Sequence, residues 1–208
     1  MTFVLSRPGE APGLSLACAV VPFQLLMMSI INAMGAVNLR RSIVLNMAFD
    51  RGLIPVSSVM TETVAFGASL ALLALMMGVY EKAPTVALLW LPVVLAVNLA
   101  LAVGFSYPAS LFGLWFGDLR VFAVSVVRTL FFVAPGLVPL ADIHGRAGQL
   151  LRLNPLTGLF ESYRDVFLFG QRPAAWELLY PLAIGVFLLL VFVPVYRKEQ
   201  SQFAKVVE

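Results

Sequence analysis

The chain has 208 residues, of which 61% are apolar and only 12% are charged, and its net charge is +3. Soluble domains carry roughly 25% charged residues, so this composition excludes a globular protein with a polar surface and predicts a protein that faces lipid. The single cysteine, Cys18, excludes an internal disulfide. The small positive charge is useful as a marker of membrane topology and does not indicate nucleic-acid binding.

Five apolar runs predict an all-α membrane protein with five transmembrane helices in a single domain, 1–208. The predicted spans are about 14–36, 56–80, 85–106, 121–140 and 176–196, and each is close to the roughly 20 residues that a spanning helix needs. The short turn at 81–84 makes the second and third spans an antiparallel hairpin. No signal peptide is expected in the polar opening segment. The distribution of basic residues favours a cytoplasmic C-terminus.

Two segments between the spans have their own patterns. Residues 37–55 carry Arg40, Arg41 and Arg51 beside apolar residues at helical spacing, which predicts a short helix in the membrane interface. Residues 107–120 are rich in aromatics and glycine and are predicted to form a loop. A simple role for the arginines is to anchor the segment at anionic lipid headgroups.

The segment 154–170 predicts a short helix with both ends marked. Asn154 can cap its start, Pro155 suits the first helical position, and Gly170 supplies a left-handed stop. A helix of about 15 residues reaches about 22 Å, less than the roughly 30 Å of a bilayer core. We therefore predict a re-entrant or interfacial region at about 146–170, before the last span. Its polar residues Glu161, Arg164 and Asp165 are predicted to form a solvated or interface patch.

No pattern in the chain points to catalysis. The sequence contains no Gly-Lys pair and therefore no P-loop for ATP phosphates. The lone His144 has no cysteine or histidine cluster beside it, so no metal site is predicted. The carboxylates are scattered along the chain. We expect no catalytic residue, no metal, no cofactor and no enzymatic activity of the chain itself.

Four stretches, taken in order, resemble a known family. They are Asn38–Asn46 followed by Ile54 and Pro55; Phe116–Leu119, with Gly117 where arginine is usual; Leu130–Pro135; and Leu153–Thr157 with Tyr163, Arg164 and Gly170. The chain resembles the ABC-2 type permeases of bacterial polysaccharide exporters, which carry O-antigen, capsule or teichoic-acid chains on lipid carriers. The resemblance covers the chain from about residue 22 to residue 198.

This resemblance implies the permease subunit of an ABC exporter, a multi-pass protein that moves lipid-linked polysaccharide across the bacterial inner membrane. It implies a second permease copy in a homodimer and a separate ABC ATPase subunit that binds ATP, with no nucleic acid among the partners. The family usually has six spans with an amphipathic helix before the first, and this chain is expected to lack that helix and first span. The implied site residues fall into three groups: for ATPase coupling, Asn38, Arg40, Arg41, Asn46, Arg51 and Asp118; for a re-entrant gate, Asn154, Pro155, Tyr163 and Arg164; and for the substrate path, Arg128, Phe131 and Phe132.

Other interpretations remain open at this point. An ABC-2 exporter of drugs or small lipids would share the spans, and a membrane scaffold that transports nothing would share the composition. Arg128 can snorkel to the inner interface or pair with Glu62. Phe131 and Phe132 can simply pack, and Asn154 can serve only as a helix cap.

Overall fold

The computed structural model describes residues 11–40, 50–117, 120–134, 136, 139–140, 143 and 145–200. Within these ranges the secondary structure is helical and contains no β-strand, so the predicted all-α class is confirmed. The helices are α1 (Pro12–Leu39), α2 (Leu53–Val79), α3 (Leu91–Trp115), α4 (Arg120–Val133), α5 (Arg146–Leu151), α6 (Pro155–Arg164) and α7 (Ala175–Glu199). A short 3-10 helix, Val86–Trp90, leads into α3, and a π-helical turn, Asp165–Phe169, continues α6.

Four helical segments in the described part of the chain are long and apolar enough to cross a membrane. They are α1, α2, α7 and the continuous segment Val86–Trp115. The fifth apolar helix, α4, has 14 residues and reaches only about 21 Å. This helix covers the first part of the span predicted from 121 to 140 and ends at Val133. A proline follows at position 135, and a proline has no N–H to continue a helical hydrogen-bond ladder.

The loop predicted for 107–120 is wrong for most of its length, because α3 continues to Trp115. Pro108 lies inside this helix, and the Tyr107 hydroxyl donates to the Gly52 carbonyl oxygen at 3.0 Å. Gly113 lies directly on the backbone of Met34, where a Cβ would overlap the Met34 carbonyl. The glycine that suggested a loop is thus a point of close helix contact.

The interfacial helix predicted near 38–51 falls mostly outside the described residues. Asn38 and Leu39 are the last residues of α1 instead, and Arg51 lies in the turn just before α2. Residues 41–49, which include Arg41 and Asn46, and residues 118–119, which include Asp118, are not described.

Helix α1 is the centre of the packing and contacts α2, α3, α4 and α6, while α3 and α6 also pack against α7. The α3–α7 crossing is close because two glycines meet there. A Cβ on Gly104 would lie 2.7 Å from the Gly185 carbonyl oxygen, and one on Gly185 would lie 2.9 Å from the Ala100 carbonyl oxygen. Small residues allow such close backbone approach between membrane helices.

The contacts place some helix termini together at one end of the bundle and others together at the opposite end. At one end, Gly13 of α1 touches Tyr80, which follows α2, and the starts of α3 and α7 lie with α6 around one groove. At the other end, Arg51 Nη1 donates to the Gln200 carbonyl oxygen at 2.6 Å. Following the predicted topology, we call the first the outer end and the second the inner end.

Candidate functional site

Helix α6 begins as its sequence predicts. The Asn154 side-chain oxygen accepts from the Leu156 backbone N–H at 3.0 Å, and Pro155 occupies the first helical position. Gly170 ends the segment in the left-handed conformation, with φ of 63°. The capping interpretation of Asn154 is thus confirmed, and whether Asn154 and Pro155 also take part in a gate remains a prediction.

The polar residues at the end of α6 and just after it are buried, so the solvated alternative for the predicted patch is wrong, and the interface alternative stays a prediction. Arg164 is 0% exposed, and Glu161 and Asp165 are each 7% exposed. The reason is that α6 packs between α1 and α7, so its apolar face and its polar face both meet protein. A charge buried in this way requires partners.

Arg164 finds these partners in three parts of the chain. Its Nη1 contacts Glu161 Oε1 at 2.6 Å, its Nη2 donates to the Gly136 carbonyl oxygen at 2.9 Å, and its Nε donates to Ser15 Oγ at 3.2 Å. The same Glu161 oxygen accepts from the Leu140 backbone N–H at 3.0 Å. Arg164 therefore ties α6 to α1 and to the segment after α4, which suits the positioning of a re-entrant element.

Tyr163 occupies the other side of α6 and is also fully buried. Its hydroxyl accepts from Asn98 Nδ2 of α3 at 3.2 Å, and its ring stacks on Phe167 with centroids 6.3 Å apart. The Asn98 side-chain oxygen has no hydrogen-bond partner among the described residues. Within this chain Tyr163 thus links α6 to α3 and does not face an open path.

Two carboxyl groups meet where the π-helical turn approaches α7. Asp165 accepts from Gln171 Nε2 at 2.7 Å, and Asp165 and Glu177 line the same groove. Burial raises the pKa of the Asp165 carboxyl, and the hydrogen bonds from Gln171 and Glu177 oppose that rise. Glu177 Oε2 also accepts from the Ala174 backbone N–H at 3.0 Å.

The predicted path residues lie together on α4 but have different surroundings. Arg128 and Phe132 are exposed on the chain, with Phe132 at 70%. Phe131 is half-buried and packs against Phe23 and Phe160, with centroids at 5.0 and 5.8 Å. Among the described residues Arg128 makes no ion pair with Glu62, which instead accepts from Asn32 Nδ2 at 2.6 Å.

Sequence reasoning missed two polar neighbours of Arg128. Ser125 and Thr129 are also exposed on α4, and their hydroxyls donate to the backbone carbonyls four residues earlier. Ser125, Arg128 and Thr129 share one face, because residues three and four apart are neighbours on a helix. We call this set the α4 polar face. The spacing was the signal that could have revealed it.

The predicted coupling residues that the structure describes lie at the inner end. Asn38 is exposed, and Arg40 follows α1 with its Nη1 3.4 Å from the Ala36 carbonyl oxygen. Arg51 reaches Gln200 after α7. Tyr196 of α7 packs its ring edge against Tyr107 of α3, with centroids 5.5 Å apart. The segment before α2 is thus joined to α3 and α7.

Comparison with known proteins gives a consistent result. No protein-family model matches the chain. An O-antigen export system permease protein RfbA from Myxococcus xanthus is 27% identical over 172 residues, which cover 82% of this chain and 66% of that protein. Two Klebsiella pneumoniae proteins of the same name are 25% and 26% identical over 193 and 195 residues, covering 92% and 93% of this chain and 74% of each.

The chain therefore spans just under two thirds of the M. xanthus relative and about three quarters of the other two. The aligned regions cover most of the chain, and the resemblance that the motifs indicated is confirmed. With its long apolar helices, the chain is a multi-pass inner-membrane protein that is similar to the ABC-2 type permeases of O-antigen export systems.

Proposed function

We propose that the chain is the permease subunit of an ABC exporter that moves lipid-linked polysaccharide across the inner membrane. The similarity to permeases of O-antigen export supports the transport role and the class of cargo. The observation that carries the proposal within this chain is the α4 polar face. The proposal assigns that face to the path of the cargo.

The α4 polar face needs an environment that lipid does not provide. An arginine at the centre of a membrane helix costs about 2.5–3.5 kcal/mol on insertion scales. The neighbouring positions of α4 are apolar and also exposed, with Val121 at 78% and Phe122 at 65%. A second copy packed against the apolar positions would cover them and leave Arg128 facing a polar path between the copies. There it would attract a phosphate-bearing cargo.

The energy for transport is assigned to a separate ATPase, since the sequence has no P-loop. The inner end offers a basic surface for it, with Arg40, Arg51, Arg197 and Lys198 among the described residues. Force applied near Arg51 would reach α3 and α7 through the contacts of Gly52, Tyr107 and Tyr196. We assign the coupling role to this end, with Arg41, Asn46 and Asp118 as further candidates from the sequence.

The proposal is tested by purifying the tagged chain from membranes of its own host. An ABC ATPase should copurify, and Arg40→Glu with Arg41→Glu should abolish the association. Arg146→Glu with Arg172→Glu, a matched charge reversal at the outer end, should leave it intact. In a strain that lacks the gene, surface polysaccharide should be lost, and the unaltered gene should restore it while Arg128→Glu should not.

Each of the other functions predicts a different outcome. A copurifying ATPase with unchanged surface polysaccharide would indicate an exporter of another cargo. A folded protein that brings down no ATPase would contradict the exporter and support the scaffold. Retained association after reversal at Arg40 and Arg41 would place the coupling surface elsewhere.

A further inference from the structure

A groove of about 1140 Å³ opens at the outer end of the bundle, between the start of α3, the π-helical turn and the start of α7. Nothing in the proposed transport path uses it, because the α4 polar face is not part of its lining. Its lining combines charged and aromatic residues with a set of aliphatic residues.

The floor near the mouth is acidic. Glu161, Asp165 and Glu177 line it, and each is only 7% exposed. Glu161 is neutralised by Arg164 at 2.6 Å. Asp165 accepts a hydrogen bond from Gln171 Nε2, and Glu177 accepts one from the Ala174 backbone N–H. This pair of carboxyl groups favours a cation that can donate hydrogen bonds.

The rim of the same groove is basic and aromatic. Arg172 is exposed there, and the Arg152 guanidinium lies 5.5 Å from the centroid of the Trp176 ring. Trp90, the last residue of the 3-10 helix that leads into α3, also lines the groove. Tryptophans prefer the headgroup level of a bilayer, and arginines bind phosphate. The rim thus suits an anionic group beside the cation of the floor.

The remaining wall is aliphatic and runs down the spanning helices. Val93 and Val97 of α3 lie in the lining with Leu178, Leu179 and Leu182 of α7. Val93 is 44% and Leu179 is 63% exposed, so the wall is open at the side of the bundle. An occupant that fits has a zwitterionic head and an apolar tail.

We propose that this groove binds a phospholipid whose headgroup carries a primary ammonium as well as a phosphate. The ammonium donates to Asp165 and Glu177, the phosphate meets Arg172 and Arg152, and an acyl chain lies along Val93, Val97 and Leu182. A free sugar would use the tryptophans and carboxylates but would leave the aliphatic wall uncovered. The inference requires only that α3 and α7 lie in a bilayer, and it does not depend on polysaccharide export.

The test is native mass spectrometry of the delipidated full chain, titrated with phosphatidylethanolamine, phosphatidylcholine and phosphatidylglycerol of identical acyl chains. Phosphatidylethanolamine should bind about tenfold more tightly than phosphatidylcholine, since the trimethylammonium group has no N–H to donate to the carboxyl groups. Asp165→Asn with Glu177→Gln should remove this preference. Glu81→Gln, at the same end but outside the groove, should retain it.

Because Asp165 and Glu177 are buried, replacing them can also unfold the chain. A second variant at a partly exposed position therefore tests the groove independently. Val93→Trp keeps every charge, starts from a partly exposed position, and should lower the affinity for all three lipids by filling the aliphatic wall. Equal binding of the three lipids to the unaltered chain would overturn the proposal. So would a preference that survives in Asp165→Asn with Glu177→Gln, unchanged affinities in Val93→Trp, or competition by a soluble polysaccharide fragment, which would assign the groove to a sugar.

Discussion

Helices α4 and α6 are both too short to span a bilayer, and both carry an arginine among apolar residues. The two arginines differ in their exposure and in their partners. Arg164 of α6 is 0% exposed and holds Glu161, Ser15 Oγ and the Gly136 carbonyl. Arg128 of α4 lies exposed beside Ser125 and Thr129. The charge on α6 is satisfied within the chain. The charge on α4 has no ion-pair partner among the residues that the structure describes.

This difference teaches that a charge in a membrane helix is informative only together with its partners. By residue type the two helices are similar, since each combines arginine with serine, threonine and aromatic residues. A buried and paired arginine indicates how an element is held in place. An exposed arginine in an apolar chain indicates an interface or an aqueous path.

The largest expected effect on stability is the difference between Arg164→Met and Arg128→Met. Arg164→Met leaves Glu161 buried without its cation and should lower the free energy of unfolding by about 3–5 kcal/mol. Arg128→Met should not lower it in the isolated chain, because Arg128 is exposed and has no ion-pair partner within the described ranges. Urea unfolding in matched detergent micelles measures both. Equal losses for the two variants would remove the distinction between the two helices.

A smaller effect is expected where α6 meets α7. A Cβ on Gly158 would lie 2.9 Å from the Glu177 carbonyl oxygen, so Gly158→Ala should cost about 1–3 kcal/mol through overpacking. Gly67→Ala on α2 is the control, because a Cβ there meets nothing within 4 Å. Thermal unfolding of the two variants should separate them. If Gly158→Ala were neutral, α6 would not be packed tightly on both sides.

The smallest effect concerns the start of α6. Asn154→Ala removes the side-chain acceptor for the Leu156 N–H and should cost about 1 kcal/mol, whereas Asn154→Asp should keep the cap. The comparison is again made by unfolding in detergent. A surface-polysaccharide defect in Asn154→Ala without any loss of stability would show that Asn154 does more than cap the helix.

The sequence predicted those features that depend on neighbouring residues. Asn154, Pro155 and Gly170 gave the ends of the α6 segment because caps and stops are set by local backbone chemistry. The apolar runs similarly located the long helices. The prediction failed for Glu161 and Arg164, whose partners Ser15 and Leu140 are distant in the sequence.

Glycine was misleading in the part of α3 that had been predicted as a loop. Gly113 permits the backbone of α3 to touch α1 at Met34, and Pro108 is tolerated inside a helix that neighbouring helices surround. Only the tertiary structure distinguishes these uses from a turn. The same holds for the groove, since its lining comes from several separate parts of the chain between Trp90 and Leu182.

Pro181 removes one backbone hydrogen bond from the part of α7 that lines the groove. Because a proline has no N–H, the Glu177 carbonyl loses its donor four residues later, and this is the carbonyl against which Gly158 packs. The first turn of α7, which carries Trp176 and Glu177, therefore lacks one of the hydrogen bonds that hold it to the rest of the helix. It can change its angle to α6 with one hydrogen bond fewer to break, while the inner turns around Gly185 keep their contact with α3.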